Sequence, residues 1–110
     1  MAALAVAALV FWVTGPPNQP DQVRIGFVTT LTTGTGVIGA DMRDAFELAL
    51  DHMGRTMGGL DVSVSYEDDA VDPSIGRQKT ERLVQRDKVH FVSGFIWSNV
   101  LLASYQAATD

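Results

Sequence analysis

A strict alternation of apolar and polar residues over 60–67 is the feature that most constrains the fold of this chain of 110 residues. Its apolar members are Leu60, Val62, Val64 and Tyr66. Because successive side chains of a strand point to opposite faces of a sheet, the pattern predicts a strand with one covered face and one more polar face. A strand of this kind suits a position toward the edge of a sheet.

Two further strands are predicted, one on each side of this segment. Apolar residues at every second position from Val23 to Phe27 predict a strand over 23–29. A short apolar run predicts another strand over 89–93. The segments between the three strands are long enough to form helices.

Three helices are predicted, each after a strand. The first has an apolar stripe at helical spacing, which consists of Met42, Ala45, Phe46, Ala49, Leu50 and Met53. The glycine-rich stretch 54–59 is expected to end it. The second helix is predicted over 73–86, with Asp72 as its N-cap and a proline at its first position. The third is predicted over 98–109.

The order βαβαβα predicts the fold class. A helix between two successive strands makes those strands parallel, with crossovers of right-handed sense. We therefore expect an α/β fold of three layers, a parallel sheet with helices on both faces. Because three strands would leave two open edges and little core, we expect 23–110 to be part of a larger lobe.

The residues before the first strand are predicted to lie outside this domain. Residues 1–15 are an apolar leader, and 16–22 are a proline-rich linker. As a helix, the apolar run would span about 20 Å against roughly 30 Å of hydrocarbon, so we interpret the leader as a signal peptide. No basic residue precedes it and the cleavage site is poor, so an uncleaved anchor or a non-native start is the alternative.

Charge and composition exclude several classes of function. Eight basic residues against thirteen acidic ones give a net charge of −5, which argues against nucleic acid as a partner. The absence of cysteine excludes disulfides, thiolate-bound zinc and cysteine nucleophiles. No pairing of a nucleophile with a base is found, so the sequence gives no case for an enzyme.

The candidate functional residues lie in the loops that follow the strands, because ligands of open parallel sheets bind beyond the carboxyl ends of the strands. The first of these loops contains a literal G-x-G-x-x-G pattern from Gly34 to Gly39. Five residues separate Val28 from Gly34, and the next strand ends 28 residues past Gly39, at Glu67. Neither spacing fits a dinucleotide site, so no cofactor is expected. A flexible Thr/Gly loop could instead offer hydroxyls and N–H groups to a ligand.

Four acidic residues in and after the second strand raise the possibility of a metal site; they are Glu67, Asp68, Asp69 and Asp72. Their spacing is not that of an EF-hand loop, and no glycine allows the sharp turn that such a loop needs. Roles in a turn and as a helix cap account for Asp72 and Asp69. We therefore expect no metal.

Ser98 lies where the third loop meets a helix. A hydroxyl and the unpaired N–H groups at a helix start can hold an anion, and the alternative role of this hydroxyl is to cap the helix. Phe95, Ile96 and Trp97 place apolar bulk at the same point. The combination suits a small organic carboxylate, with the hydroxyl for the acid and an aromatic ring for the apolar body.

Two stretches of the chain resemble the N-terminal lobe of type I periplasmic solute-binding proteins of ABC importers, namely VRIGFVTTLTTGTGVIGADMRDAFELAL and VSVSYEDDAVDPSIGRQKTERLVQRDKVHFVSGFIWSN. The branch that they resemble is that of the leucine/isoleucine/valine-binding proteins. The similarity covers 23–110, and its most specific parts are YEDDAVDP and the DKVHFVSG segment with Ser98 beyond it.

The resemblance implies a function without catalysis. Proteins of this family bind a solute between two α/β lobes that close about a hinge, and they deliver it to a membrane permease. We thus expect a periplasmic or exported protein that binds a small carboxylate, either a branched-chain amino acid or an aromatic acid. The alternatives are a ligand-sensing module of a receptor or regulator with the same fold and, less favoured, a nucleotide-dependent enzyme.

The resemblance also implies which residues contact the ligand. Ser98 matches the serine that hydrogen-bonds the ligand carboxylate in the family, and Ile38 matches a position that is often aromatic and faces the ligand. The loop that contains Phe95 and Trp97 resembles that of the subset that takes aromatic acids. The full expected set is Thr32, Thr33, Ile38, Phe95, Trp97, Ser98 and Asn99.

Overall fold

The computed structural model of the protein describes residues 19–110, so the leader and the first three residues of the linker lie outside the described part. The elements in chain order are β1 (Gln22–Thr29), α1 (Gly36–His52), β2 (Thr56–Met57), β3 (Leu60–Asp68), α2 (Pro73–Gln85), β4 (Phe91–Ser93) and α3 (Ser98–Thr109). The predicted alternation of strands and helices is confirmed, with one short strand added.

The sheet has the strand order β2-β3-β1-β4. β1 pairs in parallel with β3 on one side and with β4 on the other, as the crossover argument predicts. β2, which the sequence analysis did not predict, pairs antiparallel with the start of β3. The sheet is therefore mixed, with three parallel strands and one antiparallel strand of two residues at its edge.

Of the glycines between α1 and β3, Gly54 ends the helix as predicted, whereas Gly58 and Gly59 have a different role. α1 already ends at His52, where Gly54 has a φ of 69° and Arg55 N–H donates to Leu50 O at 2.8 Å. This is a glycine-dependent helix end, which satisfies carbonyls of the last turn. Gly58 and Gly59, with φ values of 58° and 81°, form the turn between β2 and β3 instead of ending the helix.

The helices cover both faces of the sheet, which confirms the three layers. Ile25 and Val62 pack with Leu50 of α1 in one buried cluster. On the opposite face, Gly26 lies directly under Leu83 of α2, since a Cβ at Gly26 would come within 2.8 Å of that side chain. α3 packs on α2 on this second face.

The face of α1 that meets the sheet differs from the predicted stripe. Leu50 is buried and Phe46 packs against the same cluster, but Ala45, Ala49 and Met53 are exposed. The reason is a backbone contact at the start of the helix, where a Cβ on Gly39 would lie 1.8 Å from Thr30 O. That contact selects the helix face of Gly39, Phe46 and Leu50, which recur at helical spacing.

The contact at Gly39 leads to a stability prediction. Gly39→Ala should lower the free energy of unfolding by about 2 to 3 kcal/mol, because a methyl group there must displace backbone of the loop after β1. The measurement is urea denaturation followed by circular dichroism.

Gly34→Ala is the matched control, since a Cβ at Gly34 meets no atom within 4 Å. It should change the free energy of unfolding by less than about 0.5 kcal/mol. Equal effects of the two substitutions would contradict the assigned role of Gly39.

Candidate ligand-binding site

The candidate site lies where the order in which strands are added to the sheet reverses. β1 lies between β3 and β4, and the loops after β1 and β4 lead into α1 on one face and α3 on the other. Two loops that diverge in this way leave a crevice beyond the carboxyl ends of the strands, which is where open α/β sheets bind ligands. We call this place the binding edge, formed by the loops 30–35, 69–72 and 94–97.

Asp68, at the end of β3, ties the first two of these loops together. Its Oδ1 accepts hydrogen bonds from Leu31 N–H at 2.8 Å and from Ala70 N–H at 3.0 Å. Its Oδ2 accepts one from the Thr32 hydroxyl at 2.6 Å. One carboxylate thus fixes the start of the loop after β1 against the start of the loop after β3.

Asp69 makes a second, fully buried connection. Its Oδ1 accepts from the Thr30 hydroxyl at 2.6 Å and from Val71 N–H at 2.9 Å. Ala70 and Val71 both have positive φ values, 51° and 62°, which are costly for residues other than glycine. The two aspartates hold this tight turn through its N–H groups.

These contacts also define the role of the acidic cluster. The turn role predicted for Asp69 and the cap role predicted for Asp72 are confirmed, the latter by hydrogen bonds from Ser74 N–H and Ile75 N–H. Glu67 forms ion pairs with Lys79 and Arg82 at 3.0 and 2.7 Å. Within 19–110, no three His, Cys, Asp or Glu side chains are grouped so that they could hold a metal ion.

The third loop is fixed at one end to β1 and at the other to the loop after β1. Gly94 has a φ of 98°, and a Cβ there would lie 2.6 Å from the Phe27 ring, so only glycine allows this approach. At the other end, Trp97 Nε1 donates a hydrogen bond to Thr30 Oγ1 at 3.0 Å. The half-buried Trp97 is therefore joined to the loop after β1.

Ser98 is the first residue of α3, and Trp97 occupies the N-cap position. The alternative role of Ser98 as the helix cap is therefore wrong, since α3 has no side-chain cap hydrogen bond. The first intrahelical bond of α3 runs from Leu101 N–H to Trp97 O. Ser98 and Asn99 are exposed, and their N–H groups precede that bond, so they are available to an anion.

The other predicted site residues lie at the same edge in different settings. Thr32 is exposed, but its hydroxyl proton is used by Asp68. Thr33 is exposed with a φ of 69°, and its hydroxyl lies 3.3 Å from that of Thr35. Ile38 is not in the loop but in the first turn of α1, 41% exposed. Phe95 is half-buried in the third loop.

The G-x-G-x-x-G pattern has a packing role in the structure. Gly36 and Gly39 lie inside α1, and a Cβ on either would come within 2.6 Å of a carbonyl oxygen, that of Leu31 or Thr30. The two glycines thus bring the start of α1 against the loop after β1. The expectation of a merely flexible Thr/Gly loop is wrong at these two positions.

The sequence analysis missed Thr30 and Asp68 as residues that build the site. A signal for both exists in the predicted strands, because parallel pairing aligns the ends of β1 and β3. The register places Thr29 opposite Asp68, so the next residues, Thr30 and Asp69, are neighbours as well. Polar residues directly after two paired apolar strands are therefore expected to meet.

The family of the chain is shown by comparison with known proteins. A family model described as periplasmic binding protein matches residues 22–110. The chain belongs to the periplasmic binding protein family, which consists of solute-binding proteins and not of enzymes.

Solved structures show the same fold. An ABC transporter substrate-binding protein from Sphaerobacter thermophilus is 37% identical, with a TM-score of 0.73, over 78% of this chain and 24% of that one. A solute-binding protein of an ABC transporter from Rhodopseudomonas palustris, solved in complex with 3,4-dihydroxybenzoic acid, is 28% identical with a TM-score of 0.78. That match covers 82% of this chain and 25% of that one.

The LivJ protein of Streptococcus pneumoniae, solved in complex with isoleucine, is 23% identical with a TM-score of 0.75. The match covers 80% of this chain and 26% of that one, and at this identity it shows only that the fold is shared.

The chain spans about a quarter of the length of these structures. A comparison with curated proteins finds no match. Among residues 19–110, no helix has the length and apolar character that crossing a bilayer requires.

The hydrogen bonds of Asp68 lead to a prediction about acid stability. Burial raises the pKa of this carboxyl, but the bonds from the Thr32 hydroxyl and from backbone N–H groups outweigh burial and hold the pKa below its ordinary value of 3.8. A lowered pKa in the folded state contributes stability above the ordinary value, and that contribution is lost as the pH falls through the folded value.

In Asp68→Asn, the free energy of unfolding should therefore fall less between about pH 5 and strongly acid pH than it does in the unaltered protein. The measurement is urea denaturation at a series of pH values. Asp41→Asn is the control for the loss of one charge, because Asp41 is exposed on α1 and accepts no hydrogen bond from another side chain in the described part. If the free energy of unfolding of Asp68→Asn falls as steeply at acid pH as that of the unaltered protein, the hydrogen bonds of Asp68 do not have the role assigned to them.

Proposed function

We propose that the chain is the ligand-binding N-terminal lobe of an exported solute-binding component of an ABC importer, and that it captures a small aromatic carboxylate at the binding edge. The observation that carries the proposal is the start of α3. There an exposed serine hydroxyl and unpaired N–H groups lie beside an anchored tryptophan. A second lobe would close over the ligand, and a membrane permease would receive it.

The start of α3 suits the acid group of such a ligand. Helix N-termini attract anions through their unpaired N–H groups and the helix dipole. α3 has no acidic residue in its first turn, so no side chain of that turn competes for these groups. Ser98 adds a hydroxyl that no helix-capping bond uses. Together they can make several hydrogen bonds to one carboxylate.

The side chains before α3 suit the apolar part of the ligand. Trp97 and Phe95 are both half-buried in the loop that leads into Ser98. Aromatic rings favour offset or edge-to-face contact with another ring, which an aromatic acid supplies and a branched aliphatic chain does not. The relative from Rhodopseudomonas palustris, at 28% identity, was solved with 3,4-dihydroxybenzoic acid, which supports an aromatic acid over a branched-chain amino acid.

Export and delivery to a permease follow from the same proposal. Members of this family act outside the cytoplasm, and the apolar leader 1–15 is consistent with a signal peptide. In this proposal the protein hands the solute to a membrane permease.

Ligand class is tested by thermal denaturation of the protein at its natural length. Benzoate and 3,4-dihydroxybenzoate should raise the melting temperature, because a ligand that binds only the folded state stabilises it. Benzamide is the matched control, since it keeps the ring but lacks the charge, and it should give a smaller shift. Isoleucine tests the branched-chain alternative, and a shift with isoleucine alone would contradict the aromatic assignment.

The role of Ser98 is tested by substitution. Ser98→Ala should weaken the binding of 3,4-dihydroxybenzoate about tenfold or more, because hydrogen bonds to charged groups are worth about 1.5 to 3 kcal/mol. Its free energy of unfolding should stay within about 0.5 kcal/mol of the original, since the hydroxyl does not cap α3.

Ser74→Ala is the control, because Ser74 lies in the first turn of α2, whose N–H groups Asp72 already caps. It should leave affinity unchanged by isothermal titration calorimetry. Unaltered affinity in Ser98→Ala would remove this residue from the site.

A further inference from the structure

A chain of hydrogen bonds connects the binding edge to the interior of the lobe. Trp97 Nε1 donates to Thr30 Oγ1 at 3.0 Å, and Thr30 Oγ1 donates to Asp69 Oδ1 at 2.6 Å. Thr30 and Asp69 are both fully buried, whereas Trp97 is half-buried. The half-buried Trp97 is thus bonded to a fully buried hydroxyl, which a fully buried carboxylate in turn holds.

The chemistry of the three groups permits one direction of donation. An indole N–H can only donate, a carboxylate can only accept, and a hydroxyl has one proton and two lone pairs. The proton of Thr30 goes to Asp69, so a lone pair of the same oxygen is turned toward Trp97. Without the carboxylate, the Thr30 hydroxyl would be free to rotate.

We propose that Thr30 and Asp69 are positioning residues that hold the Trp97 ring in one orientation at the binding edge and thereby favour flat aromatic solutes. The effect on solutes rests on the proposed function, whereas the orientation of the ring is a property of the protein without ligand. Gly94 fixes the backbone of the same loop against Phe27. At the other end of this loop, the bond to Thr30 restrains the Trp97 side chain.

The second oxygen of Asp69 suggests a variant that should keep the connection. Asp69 Oδ2 and Ser104 Oγ are both buried without a hydrogen-bond partner among the described residues. Each of these side chains has an atom 3.5 Å from the position that a Cβ on Gly76 would occupy. In Asp69→Asn, the amide oxygen can accept from Thr30 and Val71, and the amide nitrogen can take the place of Oδ2.

The orientation of Trp97 is tested by hydrogen exchange of its indole N–H, followed by NMR on the protein at its natural length. The resonance is assigned by its loss in Trp97→Phe. In Thr30→Val, the exchange rate relative to that of the buried Val28 amide should rise about fivefold or more, because the acceptor is lost. The reference to Val28 removes any effect of overall destabilisation.

Thr30→Ser is the matched rescue, because it restores the hydroxyl without the methyl group. In Thr30→Ser, the ratio of indole exchange to Val28 amide exchange should equal that of the unaltered protein. The same ratio is expected in Asp69→Asn, which keeps an acceptor for Thr30. Asp69→Leu, of similar size but without an acceptor, should give a smaller rise than Thr30→Val, because the Thr30 hydroxyl remains but is free to rotate. Equal exchange ratios in Thr30→Val and the unaltered protein would overturn the proposal, and so would a Thr30→Ser variant as fast as Thr30→Val.

The consequence for solutes is tested by calorimetry with 3,4-dihydroxybenzoate. Thr30→Val should weaken its binding about fivefold, and Thr30→Ser should not. Faster indole exchange with unchanged affinity would overturn the part of the proposal that concerns solutes. If the unaltered protein binds neither 3,4-dihydroxybenzoate nor benzoate, the proposed function fails, while the exchange experiment still decides whether Thr30 positions Trp97.

Discussion

The carboxylates of Asp68 and Asp69 are the groups on which the arrangement of the binding edge depends. A loop that follows a strand must find partners for its N–H groups, since unpaired buried N–H groups are costly. Here the two carboxylates supply those partners for the loop after β3 and also reach the loop after β1. Through Thr30 the same interaction extends to Trp97 and the third loop. Three loops that the chain separates widely thus form one connected surface.

Close backbone packing sets where the helices lie around this surface. Gly39 lets α1 approach the carbonyl of Thr30, and Gly94 lets the third loop approach Phe27. Such contacts are possible only where no Cβ intervenes, so each glycine fixes a distance that side-chain packing alone would not. The contact at Gly39, and not the apolar stripe, sets which face of α1 meets the sheet. Ala49 is therefore exposed, although its spacing suggested a place in the core.

The sequence predicted the elements better than their contacts. Alternation over 60–67 and the Asp72 cap gave β3 and the start of α2 directly, because these signals depend only on neighbouring residues. The two-residue strand β2 escaped because so short a pairing has no periodicity to detect. The bounds of α3 agree with the helix predicted over 98–109, but only the backbone shows that Ser98 does not cap it, since a serine also suits the N-cap position by type. Bonds such as Trp97 to Thr30 depend on tertiary structure alone.

The anchoring of Trp97 has a thermodynamic consequence for recognition. A site whose aromatic ring moves freely loses rotamer entropy when a ligand immobilises that ring, and the loss offsets part of the contact energy. In this lobe the ring is already restrained before any solute arrives. Selectivity can then come from shape, because a ring held in one orientation cannot move to fit a solute of the wrong shape, as a mobile ring could.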